Sequence, residues 1–435
     1  VTPDDVTPDD VQPSGVSRRR LLGAAGVGAI AAGAIGVGAG YAVGDKPVPV
    51  VPDKDALPVG FDGRHQAGIM TPAQDRLHFA AFDMTAAERD DLISLLKDWT
   101  TAARQMAQGN DIGDFGAVAG APYSPPEDTG EAQGLPPSGL TITIGFGRSL
   151  FVDAKGAARF GLDGQLPERL IELPGFSGDR LDPAISNGDI AIQACANDPQ
   201  VAVHAIRNLA RIAFGRASVR YSQMGFGRTS STSTAQVTPR NLFGFKDGTA
   251  NIKAESEKDV EDFVWVQDGD GPAWMTGGSY LVSRKIDMRI ETWDREPLNG
   301  QEAIIGRAKG SGGPLSGGDE FATIDFEAKD DAGQPRIDPK SHLRLAHPDV
   351  NNGAKLLRRG YNFVDGSNGL GQLSAGLFFI AYQRDPAKQF VQIQGSLAGL
   401  QNDLLNEYIV HVSSGLFACP PGVGPKGYWG EGLFA

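Results

Sequence analysis

The chain has 435 residues, 40% of them hydrophobic and 21% charged, with a formal net charge of −13 and a pI near 5.0. That length exceeds one ordinary core and predicts two domains of a soluble globular protein, and the acidic balance excludes a surface built to bind phosphate backbones, so no nucleic-acid partner is expected. Two cysteines, Cys195 and Cys419, with no C-x-x-C and no C-x-x-C-H, exclude a four-cysteine metal site and covalent c-type haem attachment.

In chain order, the first sixteen residues, with VTPDD repeated, read as a disordered leader. Ser17-Arg18-Arg19-Arg20-Leu21-Leu22 then opens a segment, 21–43, that carries no charge. Its Gly and Ala content makes it weakly hydrophobic and a poor bilayer anchor. Adjacent arginines, a mild apolar stretch and small residues near Gly40 and Ala42 predict a twin-arginine export signal over 1–44. The destination is the cell envelope or the exterior, with no membrane anchor after cleavage. That route moves folded proteins, so a non-covalent cofactor can be inserted before export. Residues 45–70, rich in Pro, Val and Gly, read as a linker.

Arg76–Asp83 alternates like a strand. Thr85-Ala-Ala-Glu88 fits a capping box before an amphipathic helix running to about Gln108. A Gly/Pro-rich excursion, Asn110 to Gly139, is too long for a turn. Strands follow at Leu140–Gly147 and Ile190–Ala196. Asp198-Pro199 opens a helix to about Phe214, and Ser218–Met224 is a fourth strand. The second half repeats the rhythm: a strand at Ser279–Thr292, a helix at Pro297–Lys309, and strands at Tyr361–Val364 and Gly376–Gln383. A helix at Asp385–Val410 and a short strand at Leu416–Cys419 complete it. The prediction is an α+β fold of two ferredoxin-like β-α-β-β-α-β domains with antiparallel sheets, 71–232 and 233–435.

The chemistry concentrates in the second half. TPRNLFGFKDGTAN (Thr238 to Asn251) holds Asp247 between Gly244 and Gly248, a turn that admits close approach of a planar ligand. Taken alone, Asp247 also fits an ordinary Asx-turn residue. SHLRLAHPDV and LLRRGYNF follow about a hundred residues later, bringing His342, His347, Arg358 and Arg359. A carboxylate to move protons, a cation to stabilise charge and an imidazole to hold iron form the set needed to cleave peroxide at a haem. Of six histidines, His65, His78 and His204 sit in linker, strand and helix and read as structural, and His411 reads as a cap after the last helix. His342 and His347 remain.

The first of these segments resembles the GxxDG signature of the dye-decolorizing peroxidases. The resemblance extends over nearly all of the chain after the first 70 residues, including FGRSLF (146–151), residues 189–211 and SSGLFACPPGV (413–423). It implies an exported peroxidase with one non-covalent haem b per chain, bound in the C-terminal domain. H2O2 would be the oxidant, and dyes or phenolics the one-electron donors. It assigns Asp247 as the base and Arg358 as the distal cation, with Arg359 as the adjacent alternative. The family's Ser-His pair falls on Ser341-His342, sixteen before Arg358, and makes His342 the iron ligand, with His347 as the fallback. Gly248, Thr249, Ala250, His347, Pro348 and Asp349 would line the haem edge, and Leu377 and Phe379 the distal wall. Asp403 or Glu407, read as one face of the last helix, would receive the second N–H of the ligand histidine, with Glu407 favoured. Trp265, Trp293, Tyr361 or Tyr382 could relay electrons from the surface, although for each one a packing role is the stronger reading. Two other functions stay open: a deferrochelatase-like haem-handling protein for iron supply, and a non-catalytic partner of another secreted oxidase.

Overall fold

The computed structural model describes residues 57–399 and 402–435, which belong to one compact unit. The predicted export segment lies outside them. The first half runs β1 (Arg76–Met84), helix Arg89–Ala107, β2 (Thr141–Gly147), β3 (Ile190–Ala196), helix Pro199–Ile212 and β4 (Ala217–Arg228). These strands pair antiparallel in the order β4-β1-β3-β2. The second half runs β5 (Ser279–Met288), helix Leu298–Ile305, β6 (Leu357–Arg358), β7 (Tyr361–Ser367), β8 (Leu373–Gln383), helix Phe390–Leu397 and β9 (Ile409–Cys419). Its main strands repeat the first order as β9-β5-β8-β7.

The two sheets are joined at both edges. β2 pairs with β9 through Phe146↔Ala418, and β4 pairs with β7 through Phe226↔Asn362. Eight strands thereby close into a ring, and β6 runs in line with β7 along the same edge of β8. Closure satisfies edge N–H and C=O groups that two separate sheets would expose. Phe79, Tyr361, Phe378, Tyr382 and Phe417 share the core that these strands enclose. The opposite face of the first-half sheet is covered by Leu92, Leu95, Leu96, Trp99 and Leu209 of the two long helices.

Local chemistry sets most element ends. Asp198 caps the helix after β3 by accepting from the N–H groups of Gln200 and Val201, with Pro199 in the first turn. The box expected at Thr85 does not form. The Thr85 and Ala86 N–H groups instead donate to Arg216 O, and the helix begins at Arg89 with Glu88 as an uncapped start. The long helix expected over Asp385–Val410 is likewise corrected. It ends at Leu397, Asp403 caps a separate 3-10 turn at Leu404–Glu407, and the chain continues as the eleven-residue β9. IVHV begins β9 with β-branched residues, which suit a pleated surface better than a helix. Residues 61–70, read as linker, are packed into the fold: Phe61 contacts Trp429 at 5.3 Å and Ile69 is fully buried.

Candidate active site

Asp247 is held by its loop. Its N–H donates to Pro239 O at 2.9 Å, and Gly244 and Gly248 adopt φ of 81° and 82°. A Cβ on Gly248 would lie 2.9 Å from Ser230 Cα, so the turn needs glycine for space as well as for φ. Two neighbours in the motif tie the loop to Glu320: Lys246 by an ion pair and Thr249 by a hydroxyl bond of 3.1 Å. Both carboxylate oxygens of Asp247 have donors. Arg358 Nη1 gives to Oδ1 at 2.8 Å, and Asn241 Nδ2 gives to Oδ2 at 3.2 Å.

Arg358 and Arg359 separate by strand alternation. Arg358 faces a cavity; Arg359 is fully buried on the other side and donates to Thr71 O and Gln74 Oε1. Asn251, the last residue of the motif, clamps the Arg358 backbone. It accepts from Arg358 N–H at 2.7 Å and donates to Arg358 O at 2.9 Å.

His342 opens a short helix, His342–Leu345, capped by the Ser341 hydroxyl. Its Nδ1 lies 2.7 Å from Asp403 Oδ2. Asp403 is 1% exposed, and its other oxygen accepts from Leu405 N–H at 2.9 Å. With Nδ1–H given to the carboxylate, Nε2 keeps the lone pair. Burial pulls the His342 pKa down, but the charge and hydrogen bond of Asp403 outweigh it and raise it above the ordinary histidine value. Asp247 adds to the rise and Arg358 opposes it, so the two clusters act on each other through space. Glu407, the favoured partner, is corrected by this geometry: its side chain is exposed, and no helix places it beside Asp403.

These groups line one cavity of about 270 Å³. Asp247, Gly248, Thr249, Ala250, His342, His347, Pro348, Arg358, Leu377 and Phe379 all border it. Asp349 does not; its carboxylate is 75% exposed, where it pairs with His347 Nδ1 at 3.4 Å. His347 packs edge-on against Phe326, and burial lowers its pKa. Ile286 and Met288 of β5 and Phe243 and Phe245 of the Asp247 loop supply apolar walls. The set fits an iron porphyrin: an apolar-walled cavity, an imidazole with a free nitrogen and an anionic partner, and a proton-handling acid beside a cation. Trp265, Trp293, Tyr361 and Tyr382 are each at most 6% exposed, so none of the four is a surface relay. Sequence reasoning missed Asn241, Asn251, Arg284 and His411. The two asparagines lay inside the quoted motif, whereas the false helix concealed the place of His411.

Residues 66–227 match the Dyp-type peroxidase N-terminal family model, and residues 238–424 match the C-terminal one. The chain is 38% identical over 381 residues to the deferrochelatase of Escherichia coli K12, covering 86% of each. Ferric DtpA from Streptomyces lividans has a TM-score of 0.78 and 38% identity, covering 88% of this chain and 98% of that one. The DyP-type peroxidase from Cellulomonas bogoriensis has a TM-score of 0.76 and 37% identity, covering 87% and 98%.

Proposed function

The chain belongs to the Dyp-type peroxidase family and is a haem peroxidase, and from that premise we propose that Asp247, Arg358, His342 and Asp403 are its working groups. When bound, haem would supply the iron at which peroxide is cleaved and would hold the two oxidising equivalents that H2O2 delivers until two one-electron donors consume them. The residues do the rest. His342 Nε2 would hold the iron, and Asp403 fixes the ring and makes it a stronger electron donor. Asp247 takes a proton from incoming H2O2 and returns it to the departing hydroxyl, so that oxygen leaves as water. Arg358 stabilises the negative charge that develops as the O–O bond lengthens.

The observation that carries this reading is the 2.8 Å Arg358–Asp247 pair on the cavity that His342 also borders, with His342 held from behind by Asp403. The test is the visible spectrum of the purified protein. His342→Ala should lose the Soret band, and His347→Ala should keep it. The reverse result would move the ligand to His347.

The donors we favour are anthraquinone-type dyes and small phenolics. The arginine pair at 18–19 supports export of the folded, haem-loaded protein to the cell envelope or beyond. Changing Arg18 and Arg19 to Lys should retain folded protein in the cytoplasm; secretion at the wild-type level would contradict this. The deferrochelatase relatives support a second reading, release of iron from haem with the porphyrin left intact. Incubation with haem separates the two: iron-free porphyrin as product favours the second. Membership of a peroxidase family sets aside the non-catalytic partner.

A further inference from the structure

We infer that His411 is a haem-binding residue whose Nε2–H donates to a carboxylate oxygen at the porphyrin edge. The inference rests on the haem-peroxidase reading above. His411 lies on β9 opposite Ile286 of β5, is 8% exposed and lines the same cavity as His342. Its tautomer is set by a neighbour. Arg284 Nε, which can only donate, lies 3.2 Å from His411 Nδ1. Nδ1 is therefore the acceptor nitrogen, and the neutral ring carries its proton on Nε2.

Arg284 cannot swing away to release Nδ1. It is 1% exposed. Its Nη2 pairs with Asp179 on the chain between β2 and β3, its Nη1 reaches Ser414 Oγ at 3.5 Å, and its guanidinium lies over Phe176. Burial first, then the Arg284 and His342 charges, push the His411 pKa down to about 3, so the ring stays neutral at working pH. Among the described residues, no side chain or backbone group accepts from Nε2. The residue is 8% exposed and what remains open faces the cavity, so an occupant that excludes water from it must supply the acceptor or leave the donor unpaired, which is unfavourable. Protohaem is apolar except at its two carboxylates. A carboxylate accepting from Nε2–H makes a charge-assisted bond, stronger than one to a neutral oxygen. Other cations on the cavity have protein partners: Lys246 pairs with Glu320, Lys355 with Asp259, and Arg307 donates to Gly312 O and Glu320 O, whereas His411 Nε2–H has none among the described residues.

The test is titration of haem-free protein with protohaem and with its dimethyl ester, in wild type, His411→Phe and His411→Gln. His411→Phe should bind protohaem about tenfold more weakly, the scale of one charge-assisted bond. His411→Gln, which keeps an N–H donor, should recover part of that loss. The dimethyl ester should bind wild type and both variants alike. The Soret position should not move, because His342 is untouched. Equal losses with acid and ester would make His411 a structural residue and overturn the inference. Unchanged haem affinity with a raised KM for the reductant would place the donor on substrate and also overturn it. A variant that fails to fold is bypassed on the unaltered chain with zinc protoporphyrin. There the His411 Nε2–H proton resonance should shift downfield with the diacid and not with the diester, and equal spectra would contradict the inference. If wild type binds haem without a histidine-ligated spectrum, it is the peroxidase reading that fails, not this one alone.

Discussion

At the scale of single residues, the account depends on which of two neighbours does the work. Arg358 and Arg359 are adjacent, yet one borders the cavity and the other is sealed on the opposite side. Arg358→Leu should slow the reaction with H2O2 by about 100-fold, the cost of losing one transition-state charge partner. It should change stability little. Arg359→Leu should do the opposite. It strands the buried acceptor Gln74 Oε1 and leaves Thr71 O with only the Thr232 hydroxyl, costing about 2 kcal/mol of stability, while the folded fraction reacts with peroxide at the wild-type rate. Stopped-flow rates and urea melts of the two variants check the assignment, and exchanged phenotypes would refute it. The sequence placed the two arginines but gave no physical ground for choosing between them; resemblance chose, and strand alternation supplies the reason. Asp403 shows the reverse case. It was visible as a candidate, but ranking it below Glu407 assumed a helix that does not exist there.

At the scale of elements, the Asp247 loop was legible because glycine spacing is a local signal. Gly244 and Gly248 both take the left-handed conformation their positions demanded. Gly248→Ala should strain that loop by about 1–3 kcal/mol, through a φ of 82° and contact with Ser230 Cα. Peroxide reactivity should fall while the His342-ligated haem spectrum persists. A fully active Gly248→Ala would mean that the loop geometry does not position the carboxylate. The last helix was misread for a complementary reason. DPAKQFVQIQGSLAGLQNDLLNEYIV carries helix-like apolar spacing throughout, but the helix stops where Ala398 turns extended and Gly399 takes a φ of 94°, with Asn406 donating to Leu397 O and Gly399 O, and β5 then claims Ile409–Val410 as strand. Gly399 and the β-branched IVHV were the local marks of this break, and the apolar spacing around them outweighed both in the reading. Missing the break removed His411 from the site and set Glu407 above Asp403.

At the scale of the whole molecule, each β-α-β-β-α-β half was legible from its rhythm, but closure of the two sheets into one ring was not. It depends on edge pairs about 270 and 135 residues apart, such as Phe146↔Ala418 and Phe226↔Asn362. Burial of titratable groups in that ring and on its outer face gives the fold an acid weakness. Burial pushes His78 down to about 4, and burial with Arg284 and His342 pushes His411 down to about 3, against an ordinary 6.5. In the unfolded chain both bind protons below pH 6.5; in the folded protein they do so only near pH 4 and 3. Their stabilising effect is therefore complete above pH 6.5 and is lost as pH falls toward those values, each group contributing a slope of up to about 1.4 kcal/mol per pH unit. Urea midpoints of the wild type should drop between pH 7 and pH 5, and His78→Gln should flatten that dependence. A midpoint that does not change over this range would contradict the burial of both rings.

The central claim is that Asp247, held by Arg358, moves the proton that lets peroxide break. The direct measurement is the second-order rate of H2O2 reaction with Asp247→Asn, followed at the Soret band by stopped flow at neutral pH. The substitution keeps the shape of the side chain and removes its ability to take a proton. The account predicts a rate lower by about 100-fold or more with haem binding unchanged. A wild-type rate in a fully haem-loaded variant would contradict it.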